Sequence, residues 1–430
     1  MQSYPMIIDG REVTTDRTYP VRLPWDGTTM AEVHEGNVAS LDCAIRASLE
    51  AAPMMASMEN GERAGLLQKV ADLLRRDAEE FASLLVAETG KPLREARLET
   101  ERAQQTLVWA SIAARELRGE TVPIDGRLAI TIRQPLGVIG AITPFNFPLN
   151  LSMHKIAPAL AGGNSVVHKP SEVTPLSAIR LAKTFLEAGA PRGAYNIVTG
   201  DGEAIGRAMV ADPRIAMITF TGSVAVGKEI RAQAGLKRVT LELGGNCPVI
   251  IEPDADLTLA VERCVAGSFA HSGQVCISVQ RIFVHEKIAD EFLHRLKAGA
   301  DRLVIGHPMQ ESTEISSLIS EEEAMRVESW IEEAISVGAT RITGGQRSRA
   351  TIRPCILAEV PPEAKMSCQE AFGPVVAVNR YSDLADAIRR ANDSPYGLQS
   401  GLFTRDLTRA FETARKLQAG GILINDVPSF

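Results

Sequence analysis

One cysteine and one glutamate of this sequence have neighbours suited to catalysis. Cys276 lies in the run HSGQVCI, and Glu242, 34 residues upstream, lies in the run LELGGN. A thiolate is a nucleophile and a carboxylate can act as a base. A cysteine alone is a weak signal, because free cysteines are usually buried and behave as small apolar side chains. The glycines beside both residues favour loops that bring them to a cleft.

Length and composition exclude several classes of function. The chain has 430 residues, of which 45% are hydrophobic, a net charge of −7 and a pI near 5.7. A single core stops growing near ~250 to 300 residues, so we expect at least two domains. The net charge is negative and the sequence has no polybasic segment, so binding to nucleic acid or to anionic lipid is not indicated. No apolar run approaches the ~18 residues of a membrane span and no signal-peptide pattern opens the chain. We expect a cytoplasmic protein that acts on a small molecule.

The cysteines and histidines do not suggest a metal or a disulfide framework. His154 and His271 have no metal-ligand spacing with the cysteines, and no CxxC pair occurs. We therefore expect reduced thiols and no metal site. The six cysteines are Cys43, Cys247, Cys264, Cys276, Cys355 and Cys368.

Hydrophobic patterning predicts an α/β protein. The first 120 residues are rich in helical periodicity, residues 119–134 alternate as in a hairpin, and residues 344–349 are predicted to be a solvated loop. In the first half, strands are predicted near 138–143, 165–168, 195–198 and 216–220, with helices near 150–161, 175–189, 202–211 and 223–234. In the second half, strands are predicted near 248–251, 281–285, 374–380 and 421–424, with helices near 256–270, 287–300, 321–337 and 407–416. Such alternation indicates two doubly wound parallel sheets, which bind nucleotides at the carboxyl ends of strands.

Two of the predicted strand ends could bind a dinucleotide. Ser223, after Gly222, begins a helix whose free N–H groups and dipole would favour a pyrophosphate. Lys169 and Glu172 could bind a ribose diol, and the carboxylate would repel a 2′-phosphate, favouring NAD over NADP. Ordinary helix capping is the alternative explanation at both places. The run GDGEAIG at 200–206 is one position off the G-x-G-x-x-G fingerprint, so a plain turn explains it equally well.

Taken together, the motifs resemble those of the aldehyde dehydrogenase superfamily. Their order and approximate spacing match over essentially the whole chain. The matching runs are ITPFNFPL at 142–149, KPSE at 169–172, FTGS at 220–223, LELGG at 241–245, GQVC at 273–276 and EAFGP at 370–374. Residues 146–155 are similar to the branch with lactaldehyde, phosphonoacetaldehyde and non-phosphorylating glyceraldehyde-3-phosphate dehydrogenases.

The resemblance implies an NAD-dependent oxidation of an aldehyde to its acid. Cys276 would form a thiohemiacetal and then a thioester, and Glu242 would be the general base. The Cys276 backbone N–H and the Asn146 amide would form the oxyanion hole. The nicotinamide would take the hydride. The implied cofactor contacts are Thr143, Pro144, Phe145, Lys169, Glu172, Gly202, Gly206, Gly222, Ser223, Glu370 and Phe372.

The resemblance also implies a fold of two doubly wound α/β domains and a bridging β element. Residues 1–118 and 135–244 would form the NAD-binding domain, and residues 245–425 the catalytic domain. Residues 119–134 would bridge subunits in a homodimer or homotetramer. Family members usually continue after the position of Phe430 with a glycine-rich segment and a last strand, a tail that closes the substrate tunnel and supports the oligomer, and this sequence stops short of it.

The choice of substrate and three alternative functions stay open at this point. Val275 and Ile277 favour an uncharged or weakly polar aldehyde, while Arg102 is the cation to test as an anion anchor, although a solvated charge explains it as well. A CoA-acylating dehydrogenase would not need Glu242 to activate water. A cysteine hydrolase or acyltransferase would use His271, whose five-residue offset from the cysteine is poor for a dyad. A non-catalytic scaffold would bind NAD without turnover.

Overall fold

A computed structural model describes residues 2–429, and the chain divides into two compact units. The first comprises Met1–Leu23, Gly27–Thr89 and Arg94–Glu242, and the second comprises Pro24–Asp26, Gly90–Leu93 and Leu243–Phe430. No helix within the described residues is both long and apolar enough to cross a membrane. Residues 2–429 contain no group of three or more His, Cys, Asp or Glu side chains that could hold a metal ion.

The first unit contains twelve strands and eight helices among its described residues. Its strands are β1 (Gln2–Tyr4), β2 (Met6–Ile8), β3 (Arg11–Val13), β4 (Thr18–Arg22), β5 (Thr29–His34), β6 (Thr121–Ile124), β7 (Arg127–Ile130), β8 (Val138–Ile142), β9 (Ser165–Lys169), β10 (Tyr195–Ile197), β11 (Ile215–Thr221) and β12 (Arg238–Glu242). Its helices are α1 (Val38–Ser57), α2 (Asn60–Arg76), α3 (Ala78–Thr89), α4 (Leu93–Glu116), α5 (Asn150–Ala161), α6 (Leu176–Glu187), α7 (Gly202–Ala211) and α8 (Val224–Gln233).

The main sheet of the first unit has the order β12-β11-β8-β9-β10-β2-β3. The five strands from β12 to β10 are parallel, whereas β2 and β3 add an antiparallel edge. The predicted parallel, doubly wound sheet is confirmed for these five strands, and the antiparallel edge was not predicted. Strands β8 and β9 are almost entirely buried, as expected for apolar strands covered by helices on both faces.

The predicted helix-rich start is confirmed by α1 to α4, which cover most of residues 38–116, but the short strands before α1 were not predicted. Five strands precede the first helix, and β1, β5 and β4 form a separate three-stranded sheet. Strands of three residues are too short to show a period of two, and their pairing partners decide their structure.

Residues 121–130 form the predicted hairpin. Strands β6 and β7 pair antiparallel around the two-residue turn Asp125-Gly126, in which Gly126 has φ +71°. Glycine at the second turn position supplies this positive φ without steric cost. Leu128 and Ile130 on this hairpin are 83% and 63% exposed.

The second unit contains a seven-stranded sheet of order β15-β18-β19-β14-β13-β20-β21, in which β15 alone is antiparallel to its neighbour. Its strands are β13 (Cys247–Ile251), β14 (Val279–His285), β15 (Thr340–Thr343), β16 (Arg347–Ser348), β17 (Thr351–Ile352), β18 (Cys355–Ala358), β19 (Val375–Tyr381), β20 (Gln399–Phe403) and β21 (Gly421–Ile424). Its helices are α9 (Leu257–Phe269), α10 (Ala289–Asp301), α11 (Glu321–Ser336), α12 (Lys365–Cys368), α13 (Leu384–Asn392) and α14 (Leu407–Lys416). The core of this unit packs α9 and α10 against β13, β14 and β19.

Residues 344–349 are not the solvated loop predicted from their composition. Arg347 and Ser348 form β16, which pairs with β17, and Gly345 is buried. A positive φ of 52° at Arg349 turns the chain between the two strands. Two-residue strands leave no sequence pattern, so only the pairing identifies them.

Candidate active site

Strand register brings several predicted cofactor residues to one edge of the first sheet. The Thr143 N–H donates to the Lys169 carbonyl at 3.2 Å, and the Gly222 N–H donates to the Glu242 carbonyl at 3.0 Å. These four residues therefore end or follow the adjacent parallel strands β8, β9, β11 and β12. Carboxyl ends of parallel strands are where such sheets bind nucleotides.

Lys169 and Glu172 form an ion pair beside the start of α7. The Lys169 side chain is buried and its Nζ lies 3.5 Å from Glu172 Oε2, while the Glu172 side chain is more than half exposed. Burial lowers the pKa of Lys169, and the Glu172 carboxylate opposes that shift. A Cβ at Gly202 would lie 3.1 Å from Glu172 Oε2, whereas one at Gly206 would meet nothing within 4 Å. The space beside Glu172 thus depends on Gly202 and not on Gly206.

Ser223 is the amino-terminal cap of α8. Its Oγ accepts a hydrogen bond from the Val226 N–H at 3.3 Å. A Cβ at Gly222 would lie 2.5 Å from the Phe220 ring, so only glycine fits between that ring and the helix start. The remaining free N–H groups of the first turn and the helix dipole can attract an anion here.

A buried histidine fixes the start of the loop at residues 143–149, which carries Asn146. His168 Nε2 and Thr143 Oγ1 are 2.8 Å apart, and His168 Nδ1 lies 2.9 Å from the Tyr195 hydroxyl. Burial, with Lys169 and Lys155 as secondary causes, lowers the pKa of His168 to about 3, so this imidazole is neutral. A neutral imidazole has one donor and one acceptor nitrogen, which matches two hydroxyl partners.

A glutamate from another helix fixes the end of the same loop. Glu99 Oε1 on α4 accepts hydrogen bonds from the Leu149 N–H at 2.9 Å and the Asn150 N–H at 3.1 Å. Asn146 itself is buried, with 4% of its surface exposed. No sequence pattern marks Glu99, because a buried glutamate on a helix rich in charged residues has the same neighbours as a solvated one.

Lys155 is a further residue that sequence reasoning left without a role. It lies on α5, is buried, and its Nζ is 3.4 Å from Thr219 Oγ1. Burial lowers the pKa of Lys155 to about 8, and the Glu242 carboxylate opposes this shift. The end of β12 therefore faces a nearby cation in the first unit.

In the second unit, an unusual backbone presents the candidate nucleophile. His271, Ser272 and Gly273 have φ angles of 47°, 53° and 74°, three successive left-handed residues. A Cβ at Gly273 would lie 2.0 Å from the Gly373 carbonyl oxygen, so this position requires glycine both for its φ and for space. Cys276 follows this turn and is partly exposed.

The neighbours of Cys276 are held in place. The Gln274 Oε1 accepts a hydrogen bond from the Ile319 N–H at 2.8 Å, and Val275 and Ile277 are buried. The thiols of Cys247, Cys264 and Cys355 are buried as well. Burial in an apolar environment makes a thiol inert, so the partial exposure of Cys276 separates it from those three.

The glycine pair after Glu242 lies between Cys276 and Glu370 in the second unit. A Cβ at Gly245 would lie 2.2 Å from the Cys276 carbonyl oxygen, and one at Gly244 would lie 2.2 Å from Glu370 Oε2. The Gly245 N–H donates to Glu370 Oε1 at 3.0 Å. Burial raises the pKa of Glu370, and this hydrogen bond opposes the shift. The structure thus brings the Cys276 carbonyl and the Glu370 carboxylate close to the same two-glycine segment.

Asn246 and Arg281 brace the same segment. The Asn246 amide donates to the carbonyls of Ser367 at 3.1 Å and Gln369 at 2.8 Å, just before Glu370. Arg281 Nε donates to Asn246 Oδ1 at 2.8 Å. Burial lowers the pKa of Arg281 to about 10. Neither residue was a predicted site residue.

Similarity to known proteins shows that this chain is an oxidoreductase that acts on aldehydes. The Aldehyde dehydrogenase family matches residues 12–430, and the chain belongs to that family. The predicted family and the α/β fold class are confirmed. Enzymes of this family oxidise aldehydes to acids with NAD or NADP, and we assign this chain to that class.

Individual relatives confirm the predicted branch. The chain is 42% identical to the 3-sulfolactaldehyde dehydrogenase of Priestia aryabhattai over all of this chain and 91% of that protein. It is 43% identical to the lactaldehyde dehydrogenase of Methanococcus aeolicus over 90% of this chain and 84% of that protein. Glyceraldehyde-3-phosphate dehydrogenase GapN from Methanocaldococcus jannaschii, solved with NADP, is similar with a TM-score of 0.94 and 40% identity over 97% of this chain and 92% of that one.

Proposed function

We propose that this enzyme oxidises a small 2-hydroxyaldehyde of the lactaldehyde type, with NAD preferred. The substrates in the names of the three relatives share a hydroxyl beside the aldehyde carbon and differ in the substituent on the third carbon. The apolar Val275 and Ile277 beside Cys276 favour the uncharged member. Arg102 is the candidate for binding an anionic substituent.

The observation that carries the proposal is the partly exposed Cys276, which follows the left-handed turn at residues 271–273 and whose carbonyl lies close to the Gly245 that binds Glu370. The Cys276 sulfur adds to the aldehyde carbon and forms a thiohemiacetal. The Cys276 N–H and the Asn146 amide hold the developing oxyanion. Loss of hydride leaves a thioester, and Glu242 takes a proton from the water that cleaves it. The acid leaves and the thiol is restored.

The residues at the edge of the first sheet fit a dinucleotide. Gly202 leaves room beside the Glu172 carboxylate, and the Ser223-capped helix offers N–H groups for phosphate oxygens. When bound, the dinucleotide supplies the hydride acceptor. Thr143, Pro144 and Phe145 would contact it from the loop after β8. Residues 1–118 and 135–244 would form the cofactor domain.

Glu370 and Phe372 would hold the nicotinamide end from the catalytic domain of residues 245–425. Glu370 is anchored by Gly245, and Phe372 has a φ of 50°, which fixes the turn after it. Residues 119–134 would bridge subunits, because the hairpin exposes Leu128 and Ile130 to an extent unusual for large apolar side chains.

A panel of aldehydes with NAD and NADP, followed by NADH or NADPH absorbance, tests the proposal. We expect lactaldehyde to exceed 3-sulfolactaldehyde and glyceraldehyde 3-phosphate in kcat/KM. Formation of free acid without added CoA separates the enzyme from a CoA-acylating dehydrogenase. A kcat/KM at least tenfold higher for an anionic aldehyde than for lactaldehyde would contradict the proposed preference for an uncharged substrate.

Two substitutions test the chemistry. Cys276→Ala should abolish oxidation while NAD still binds, and Cys368→Ala, which removes another partly exposed thiol, should leave the rate unchanged. Glu242→Gln should slow thioester hydrolysis, so that a burst of NADH precedes a slow steady state. Wild-type rates in Cys276→Ala or in Glu242→Gln would contradict the assignment.

A further inference from the structure

Two helices that follow candidate site loops lack a capping side chain of their own. Helix α5 begins after Leu149 and helix α6 begins after Pro175, and neither side chain makes a capping hydrogen bond. Leucine and proline side chains have no acceptor, so the first N–H groups of both helices need partners from elsewhere.

Buried glutamates on α3 and α4 supply those partners. Glu99 accepts from the Leu149 and Asn150 N–H groups, as described above. Glu88 Oε2 accepts from the Leu176 N–H at 2.6 Å, and both of its oxygens lie 3.3 Å from the Ser177 nitrogen. The Ser177 hydroxyl also donates to Glu88 Oε1. The two glutamates are 1% and 0% exposed.

Each capped helix start lies directly after a loop with a proposed role. Leu149 is three residues after Asn146 in the loop that follows β8. Pro175 is three residues after Glu172 in the loop that follows β9, where the Thr174 N–H donates to the Ser171 carbonyl at 3.3 Å. A buried glutamate side chain whose oxygens accept several N–H groups holds a backbone more firmly than an exposed cap.

We propose that Glu99 is a positioning residue for Asn146 and that Glu88 is a positioning residue for the loop of Lys169 and Glu172. This inference rests on the proposed function of those residues. Glu99 acts on the chemical step through the oxyanion donor, and Glu88 acts on dinucleotide binding through the ribose loop. Substitution of Glu99 should therefore change kcat, whereas substitution of Glu88 should change KM for NAD.

A double-mutant cycle tests the role of Glu99. A shift of about 1 Å in a catalytic group can cost about 100-fold, so Glu99→Ala should lower kcat by about 10- to 100-fold with KM for NAD within about twofold of wild type. In an Asn146→Ala background, Glu99→Ala should cost less than about threefold more, since the group it positions is gone. Glu99→Gln keeps an acceptor oxygen and should recover most of kcat. Glu101→Gln, an exposed position on the same helix, is the matched control and should equal wild type.

A second double-mutant cycle tests Glu88, and its readout is KM for NAD in place of kcat. Glu88→Ala should raise KM for NAD by about 5- to 10-fold with kcat within about threefold, and Glu88→Gln should recover most of the affinity. In a Glu172→Gln background, Glu88→Ala should add much less than that to KM. Melting followed by circular dichroism shows whether each variant is folded. If an alanine variant is unfolded, Glu99→Asp or Glu88→Asp replaces it in the double-mutant cycle, because aspartate is shorter by one methylene and withdraws the acceptor oxygens from the helix start.

The outcomes separate this inference from the proposed function. Multiplicative losses of kcat for Glu99 and Asn146 variants would overturn the positioning role of Glu99, and so would a failure of Glu99→Gln to restore kcat. Likewise, multiplicative increases of KM for NAD in the Glu88 and Glu172 variants would overturn the role of Glu88. Wild-type kcat in Asn146→Ala alone would instead contradict the proposed oxyanion donor.

Discussion

Replacing Glu172 by glutamine removes one charge at the edge of the first sheet and little else. The side chain keeps its length, and its carboxylate is more than half exposed, so the change should not disturb the core. The buried Lys169, whose Nζ lies 3.5 Å from Glu172 Oε2, would then lose its ion-pair partner, with only the weaker influence of Asp201 left. Both consequences favour a cofactor with an additional phosphate. We therefore expect Glu172→Gln to shift the preference from NAD toward NADP.

The size of the shift follows from Coulomb's law. Two unit charges about 5 Å apart interact by about 3 kcal/mol at an effective dielectric constant near 20 and by about 1 kcal/mol in bulk water. The exposure of Glu172 places it near the aqueous limit. A 2′-phosphate carries about 1.5 to 2 negative charges at neutral pH, so the repulsion amounts to roughly 1.5 to 2 kcal/mol. Since 1.4 kcal/mol is about tenfold, the ratio of kcat/KM for NADP to that for NAD should rise about 10- to 30-fold.

Steady-state kinetics with both cofactors at fixed saturating aldehyde measure this ratio. The measurement is repeated at about 0.02 M and 0.5 M salt, because screening should shrink the difference between wild type and Glu172→Gln at high salt. Glu203→Gln removes an exposed carboxylate of the neighbouring helix α7 and is the matched control. A ratio that stays within twofold of wild type at low salt would refute the electrostatic reasoning and the assignment of Glu172 to the ribose.

Two further predictions concern backbone space and buried charge. Gly245→Ala would place a Cβ 2.2 Å from the Cys276 carbonyl oxygen, so we expect it to lower kcat by at least about tenfold and to lower the melting temperature. Gly65→Ala is the control, because a Cβ at this helical position would meet nothing within 4 Å, and it should raise the melting temperature slightly. Because burial lowers the pKa of Lys155 from 10.5 to about 8, the folded protein binds fewer protons than the unfolded chain between these values, and its stability should gain from rising pH in this window. Urea unfolding at pH 8 and pH 10 should show that Lys155→Met loses this gain, and equal pH dependence in both proteins would contradict it.

The sequence by itself determined the family and the α/β class, and it supplied the candidates for the residues that carry chemistry. Cys276, Glu242 and Glu370 occur in short runs whose order is specific, and the central strands of both sheets are continuous apolar segments that no solvated element would contain. Cys276, Glu242 and Glu370 can be identified as candidates from the sequence because the local backbone around each of them requires particular neighbours, above all glycine. The hairpin at 121–130 was predictable from the alternating residue types of its two strands.

Only the tertiary structure decided which ordinary residues support that chemistry. Glu99 and Glu88 resemble solvated charges on a helix, and their partners lie 50 and 88 residues away in the chain. The contact of Gly245 with the Cys276 carbonyl and the brace from Arg281 likewise join distant segments. Hydrogen bonds between distant segments leave no period or motif in a sequence, because any residue of suitable length can make them once the fold has brought it there. The amino-terminal strands were missed for the same reason, since their partners rather than their composition determine them.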